Sequence, residues 1–402
     1  MPVNTRKFGH FGLVVLSLCG LFLFQSCTPP KPNNGGTACT TLLCSASMYS
    51  LLVADLDGSN VSIIKTSTYQ EMTHPRVSND KNWVMYTGFN DLDSRGCASL
   101  SKGYTNTEIR AVRMSGAGDK GIIAPVVGEF HTNSYWIGTT NEFTYLAGPP
   151  STVLKFYNRV TVDSLSMDII AGPTPIPIPA DILAVDPQTN LATNKIVFSG
   201  LYNAALYDPS AIGFVKGIFM MDLSYDSLVS RNLVRLSLGK DRAGKAITCV
   251  GTPIEPCPNI MENDPKISPD GLNVAFMRQA PASGADGFGW HIFVVPVKNP
   301  LPVEDPLSET DLSYTDLRSD IKKNEGLPEW LDNDTLIFSS IEITSLSDFA
   351  KNVYTMEIDG TKKTKIPLPA GFRYSDVFPF TDGNGKQRMI LSAEKIGATC
   401  TR

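Results

Sequence analysis

Outside the first 26 residues the chain carries three histidines, His74, His131 and His291, and they bound the imidazole chemistry open to it. Nucleophilic catalysis needs a serine or cysteine beside a base, with the base held by a third group. No Gly-x-Ser-x-Gly segment occurs, so the sharp turn that exposes a hydrolase serine is not indicated. His74 opens a strand-like phrase and His291 sits beside Trp290 in an apolar run, which reads as structural use of both. His131, in EFHTNSYW, is the histidine most open to a site role. A histidine metal centre would need all three to converge, since no short ligand spacing is present. Asp91-Leu92-Asp93 and Asp332-Asn333-Asp334 offer hard oxygens suited to Ca²⁺, but neither continues into a full calcium loop. No catalytic residue, metal-ligand set or cofactor loop is therefore assigned, and Ca²⁺ is the one cofactor for which the turns leave room. Acidic residues cluster in turns, and Asp55, Asp57, Asp80, Asp270, Asp359 and Asp382 mostly flank Asn, Ser or Gly. There they can accept backbone N–H bonds of tight turns.

The elements that would position such residues are short strands. Asp264 to Phe276, DPKISPDGLNVAF, reads as strand, Asp270-Gly271 turn and second strand, with Ile267, Val274 and Phe276 apolar. Looser copies begin at His74 (HPRVSNDKNWVMY), Pro328 (PEWLDNDTLIF) and Asp376 (DVFPFTDGNGKQRMIL). A second phrase accompanies them: YSLLVADLDG from Tyr49, GIFMMDL from Gly217, WHIFVVPV from Trp290 and VYTMEIDG from Val353. Two phrases of two strands make a four-stranded antiparallel unit, and such units repeated about an axis make a β-propeller.

SPDG followed by an Ala-Phe strand, and then by an apolar strand closed with Asp-Gly, resembles the WD40-like (PD40) repeats of the TolB-type propellers. The resemblance covers most of residues 48–394 and implies an all-β, six-bladed ring. Seven blades fit if 122–234 holds an extra one. An outer-strand phrase at 48–65 and an inner-strand phrase at 374–392 imply that the two ends share a blade. Loops are expected at 87–104, 171–186, 200–216, 241–262, 278–289 and 298–325, with GPTPIPIPA at 172–180 a stiff connection. Nothing matches the separate N-terminal domain of TolB itself.

At the N-terminus, Arg6 and Lys7 precede a mostly apolar run from Phe11 to Phe24, shorter than the roughly 20 residues of a spanning helix. Gln25-Ser26-Cys27 follows, which resembles a bacterial lipoprotein signal, although Phe24 and Gln25 depart from its usual box. The organisation expected is a leader over 1–26, a lipidated Cys27 and tether over 27–47, and a propeller over 48–397. That places the chain in the bacterial cell envelope, lipid-anchored, at the outer membrane, with either face open. Acyl chains supply the membrane contact. Cys39, Cys44, Cys97, Cys249, Cys257 and Cys400 remain, an even number that suits disulfides in an exported chain. Cys39 with Cys44 and Cys249 with Cys257 are near enough in sequence for local pairs, which leaves Cys97 and Cys400.

Gly 32 and Pro 28 suit a turn-rich chain, and the net charge of −5 argues against nucleic acid as partner. Two functions are weighed. One is a protein-binding scaffold or surface adhesin that holds an envelope protein, or a host extracellular protein, through propeller loops. Tyr104, Phe130, Tyr135 and Trp136 are its candidate anchors, being of the types that dominate binding energy. The other is a metal-dependent carbohydrate-active enzyme, a lyase or hydrolase, built on the same ring. The anchor is directly testable. Cys27→Ala should abolish incorporation of a radiolabelled fatty acid and leave unprocessed precursor. Undiminished label in the variant would remove the anchor from the account.

Overall fold

The SPDG phrase becomes a hairpin because its side chains bind its own backbone. Ser268 Oγ donates to Asp270 Oδ1 at 2.6 Å and accepts from Asn273 N at 3.0 Å, while Leu272 N donates to Asp270 at 3.0 Å. The worn copy SNDKNW is wired alike, with Ser78 to Asp80 at 2.6 Å and Trp83 N to Ser78 at 3.0 Å. Gly271 takes φ of 74° in the first turn, and Lys81 accepts 63° at the same place in the second. Glycine makes that conformation without strain, whereas a lysine adopts it only because the turn around it is fully bonded.

The computed structural model describes residues 43–44, 48–68, 70–90, 107–126, 130–148, 156–176, 182–190, 194–203, 214–222, 233–237, 262–281, 288–297, 301–302, 315–316, 323–343, 349–398 and 400–401. These form six antiparallel blades, and all the regular structure is β. In the second blade the strands run Gln70–Val77, Trp83–Asn90, Thr107–Arg113 and Lys120–Ile123 from the axis outward. The third runs Phe130–Trp136, Glu142–Gly148, Phe156–Val162 and Ile169–Ile176. The fourth, fifth and sixth begin at the inner strands Ile182–Asn190, Glu262–Ile267 and Lys323–Trp330. The fourth carries Leu301–Pro302 as a fifth strand. The segment in which a seventh blade was allowed for holds the third and fourth.

The first blade joins the chain ends, as the resemblance implied. Phe372–Thr381 and Gln387–Lys395 are its inner strands, and Tyr49–Asp55 and Ser62–Ser67 its outer ones. Tyr49 pairs with Glu394 and Asp55 with Arg388. Closure pairs Tyr49–Asp55 with Gln387–Lys395, two strands that would otherwise each present an open edge. Apolar side chains from neighbouring blades fill the gaps, for instance Leu51, Val53 and Ile390 of the first blade with Val84, Tyr86 and Val112 of the second.

The expected loops are partly strand. Ile169–Ile176, with its two prolines, is the outermost strand of the third blade, and the strands flanking 204–213 and 282–287 run further than their turn residues suggested. Proline is accommodated at an edge because no neighbour there requires its missing N–H. The leader, the tether apart from Leu43–Cys44, and the residues 91–106 and 241–261 lie outside the described residues, with Cys27, Cys39, Cys97, Cys249, Cys257, Tyr104, Asp91 and Asp93. Cys44 is described, and in a two-stranded pairing it stands opposite Cys400.

One carboxylate ties the closure together. Buried Asp55 accepts from Asn60 at 2.5 Å and from Lys386 at 2.5 Å, and Arg388 lies 3.2 Å away. The Asn60 amide, followed by Lys386, holds its carboxyl down at about 2 against an ordinary 3.8. A depressed native pKa stabilises above the ordinary value, and that stabilisation disappears as pH falls through the native one. The wild-type protein should therefore lose stability between about pH 4 and pH 2. Asp55→Asn should be less stable at neutral pH and should lose less across that window. Thermal melts at stepped pH measure this, and parallel slopes in the two proteins would contradict it.

An axial cavity over a buried charge network

Each inner strand carries one irregularity, at the same place. The register shifts between Thr73 and Arg76, Thr132 and Tyr135, Val185 and Gln188, Asn263 and Lys266, Gly326 and Glu329, and Ser375 and Phe378. In five of the six the residue after the first of each pair is left-handed: His74, Asn133, Asp264, Leu327 and Asp376, with φ between 47° and 54°. Asn, Asp and His tolerate this region, while Leu327 is strained there. Proline follows at Pro75, Pro187, Pro265 and Pro328, which suits a bulge that already gives up a ladder bond. A bulge bends the strand and re-aims the next side chain. One residue per blade is thereby set at an equivalent position: Arg76, Tyr135, Gln188, Lys266, Glu329 and Phe378.

Several of these meet across the ring. Arg76 donates to Glu329 Oε1 at 2.8 Å and to the Tyr135 hydroxyl, and Tyr135 in turn donates to Glu329 at 2.9 Å. Lys266 Nζ lies 3.9 Å from the same carboxylate oxygen and 4.9 Å from the centre of the Tyr135 ring. The Arg76 guanidinium stands 4.2 Å over Tyr135 and 4.9 Å over Phe378. Arg76 and Lys266 are each under 5 % exposed, so their charges survive only because they are paired. Burial works against both cations. It is outweighed by Tyr135 and Glu329 together, with Asp376 adding to Arg76 and Asp264 to Lys266, and both pKa values end raised. Burial also pushes Tyr135 up to about 12, so it stays a neutral donor. Behind the network His74 Nε2 lies 3.8 Å from Asp376.

Above this floor is a cavity of 720 Å³. Arg76 and Tyr135 belong to both. The walls come from residues just beyond the bulges and from the first hairpin turns: Asn79 and Lys81, Trp136 and Thr139, Gln188, Pro269, and Phe378 to Phe380. The surface is thus aromatic and proline-rich, with amide and cationic groups among it.

Of the sequence candidates, Tyr135 and Trp136 stand here. Phe130, at the other end of the same strand, packs edge-on to Phe89 at 5.9 Å. His131 is not open to a site: it is buried, edge-on to Tyr145 at 5.8 Å, with its backbone N–H bonded to Thr107 Oγ1. His291 is buried within its strand. In Asp332-Asn333-Asp334, Asp332 accepts from Asp334 N at 2.8 Å and Asn333 from Asp270 N at 3.1 Å, as turn residues do. Among the described residues no three His, Cys, Asp or Glu side chains gather as a metal site would require. Arg76, Gln188, Lys266, Glu329 and Phe378 were missed as site residues. For Arg76, Gln188, Lys266 and Glu329 the signal was a recurring residue-Pro-residue step, whereas Phe378 follows Val377 and carried no such mark.

The strand order of the described residues defines a six-bladed β-propeller. No family model matches the sequence, and no curated protein does. Solved structures match the fold. A protein described as a putative TolB from Agrobacterium tumefaciens aligns with a TM-score of 0.50 at 12% identity, covering 87% of this chain and 99% of that one. An oligogalacturonate lyase from Vibrio parahaemolyticus gives 0.43 at 11% identity, covering 87% and 78%. The β-propeller domain of the trilobed protease from Pyrococcus furiosus gives 0.39 at 11%, covering 89% and 92%.

The network predicts an asymmetry between substitutions. Glu329→Gln keeps the shape but leaves two buried cations without their shared anion, and should cost about 3 kcal/mol or more in urea unfolding. Tyr135→Phe removes one hydrogen-bonding hydroxyl and should cost about 1–2 kcal/mol. Equal, small effects would mean that the floor is not held by charge.

Proposed function

We propose that the protein is a lipid-anchored recognition module of the bacterial cell envelope, taking a segment of another protein into its axial cavity. The cavity carries this reading. Its volume lies in the range of sites that enclose a ligand, and Trp136, Phe378 and Phe380 are of the type that anchors interfaces. A rigid ring loses little entropy when a segment enters. The cations beneath are already committed to Glu329, which suits a surface that receives a ligand better than one that moves protons. A tether over 27–47 would hold the open ring off the membrane. The ring serves unrelated proteins, so its shape alone does not choose among functions.

The test is photo-crosslinking in living cells with a photoreactive residue at Thr139 on the cavity wall, and at Ile63, which is exposed on the outer strand of the first blade, as control. A discrete protein adduct should form at Thr139 alone. Lys81→Glu combined with Phe380→Ala should lower its yield about tenfold or more, the consequence of losing about 1.4 kcal/mol or more of binding. A melt run alongside separates lost binding from lost folding. Adducts at Ile63 but not at Thr139 would remove the cavity from the account. Metal-dependent turnover of a glycan by the purified protein would replace it with the carbohydrate-active reading.

A further inference from the structure

The chain ends meet twice. In the first blade Tyr49 pairs with Glu394, and the contact continues outward through Lys395 N, which donates to Met48 O at 2.8 Å. Beyond this the ends pair again, Leu43 opposite Thr401 and Cys44 opposite Cys400. Had the blade's own register run on unchanged, Cys44 would fall opposite Thr399. A one-residue shift brings the two cysteines to the same rung.

We infer that Cys44 and Cys400 form a disulfide that staples the segment entering the ring to the segment leaving it. Directly opposed residues of an antiparallel ladder have Cα atoms about 4.5 or 5.5 Å apart, according to the rung type. Both spacings fall inside the range of about 4.4–6.8 Å found for disulfides. Strands of two residues are too short to persist on pairing alone, so a covalent link explains why so short a sheet should form at this place. The pairing departs from the sequence expectation of Cys39 with Cys44 and Cys97 with Cys400. Formation breaks two S–H bonds and makes one S–S bond. Two electrons and two protons pass to a disulfide oxidant of the exported compartment, whose own S–S bond becomes two thiols. The bridge lies near the end of the tether, just before the first blade. Tension on the anchor would thus reach the ring through a bond, without unzipping the closure strands.

The test traps free thiols with iodoacetamide during purification from cell envelopes, then maps peptides without reduction. Chymotrypsin, which cuts after Leu42 and Leu43, separates Cys39 from Cys44. A Cys44–Cys400 peptide that disappears on reduction is expected, both from cells and after reduction and re-oxidation with oxidised glutathione. Cys44→Ser and Cys400→Ser should each lower Tm by several degrees, to the value of the reduced wild type, and the double variant should fall no further. Alkylated Cys44 and Cys400 in the cell-derived protein, or a Cys39–Cys44 or Cys97–Cys400 bridge after glutathione oxidation, would overturn the inference.

Discussion

Six inner strands share one axis, and several of the side chains they send there are buried against one another. Glu329 makes that arrangement tolerable, since its carboxylate faces the cations of two other blades and accepts a phenol from a third. The value of this network need not lie in net stability, because a buried ion group is often no better than well-packed apolar side chains in its place. Its consequence is for register. Side chains alternate with period two along a strand, so a slip of one residue in any inner strand would carry a charge away from its partner. The bulges serve the same end. They stand at one level in every blade, although Leu327 must adopt a backbone conformation that its side chain resists.

The closing blade is the second constraint, and it acts on the first. A ring of blades holds its axis only while its circumference is shut. Here the seam is a full seven-residue ladder between chain termini, with Asp55 bridging the turns at one end of it. Arg76 also stands 4.9 Å over Phe378, a residue of that same blade. Opening the seam would therefore disturb the axial packing as well as expose two edges. Axis and seam stabilise one another through the inner strand Phe372–Thr381.

Features with local causes were legible in the sequence. Ser268-Pro269-Asp270-Gly271 announces its hairpin because the turn is bonded within five residues, and the apolar alternation around it follows from the pleat. The shared blade was readable because an unmatched half-unit at each end has one simple partner. The axial network was not. Arg76 and Glu329 are separated by 253 residues, and nothing in the phrases HPR or LPE says which blade lies across the ring. The step was visible as His74-Pro75-Arg76, Asp186-Pro187-Gln188, Asp264-Pro265-Lys266 and Leu327-Pro328-Glu329, but proline there reads as the start of a strand, not as a bulge that redirects the following residue. Aromatic composition found Tyr135 and Trp136. The same cue also chose Phe130, because residue type does not tell which end of a strand reaches the cavity.

The geometry finally separates what the ring needs from what its cavity offers. At two of the bulges the residue turned to the floor is followed by residues that rise into the wall: Arg76 and then Asn79 and Lys81, Tyr135 and then Trp136 and Thr139. Floor residues are bound to one another, and changing one strands a buried partner. Wall residues on the turns, such as Lys81 and Thr139, have no share in that network. Exchanging them alters the shape and charge presented at the open end while the axis stays intact. Rings that agree in their blades can for this reason differ in the surface that their cavities present.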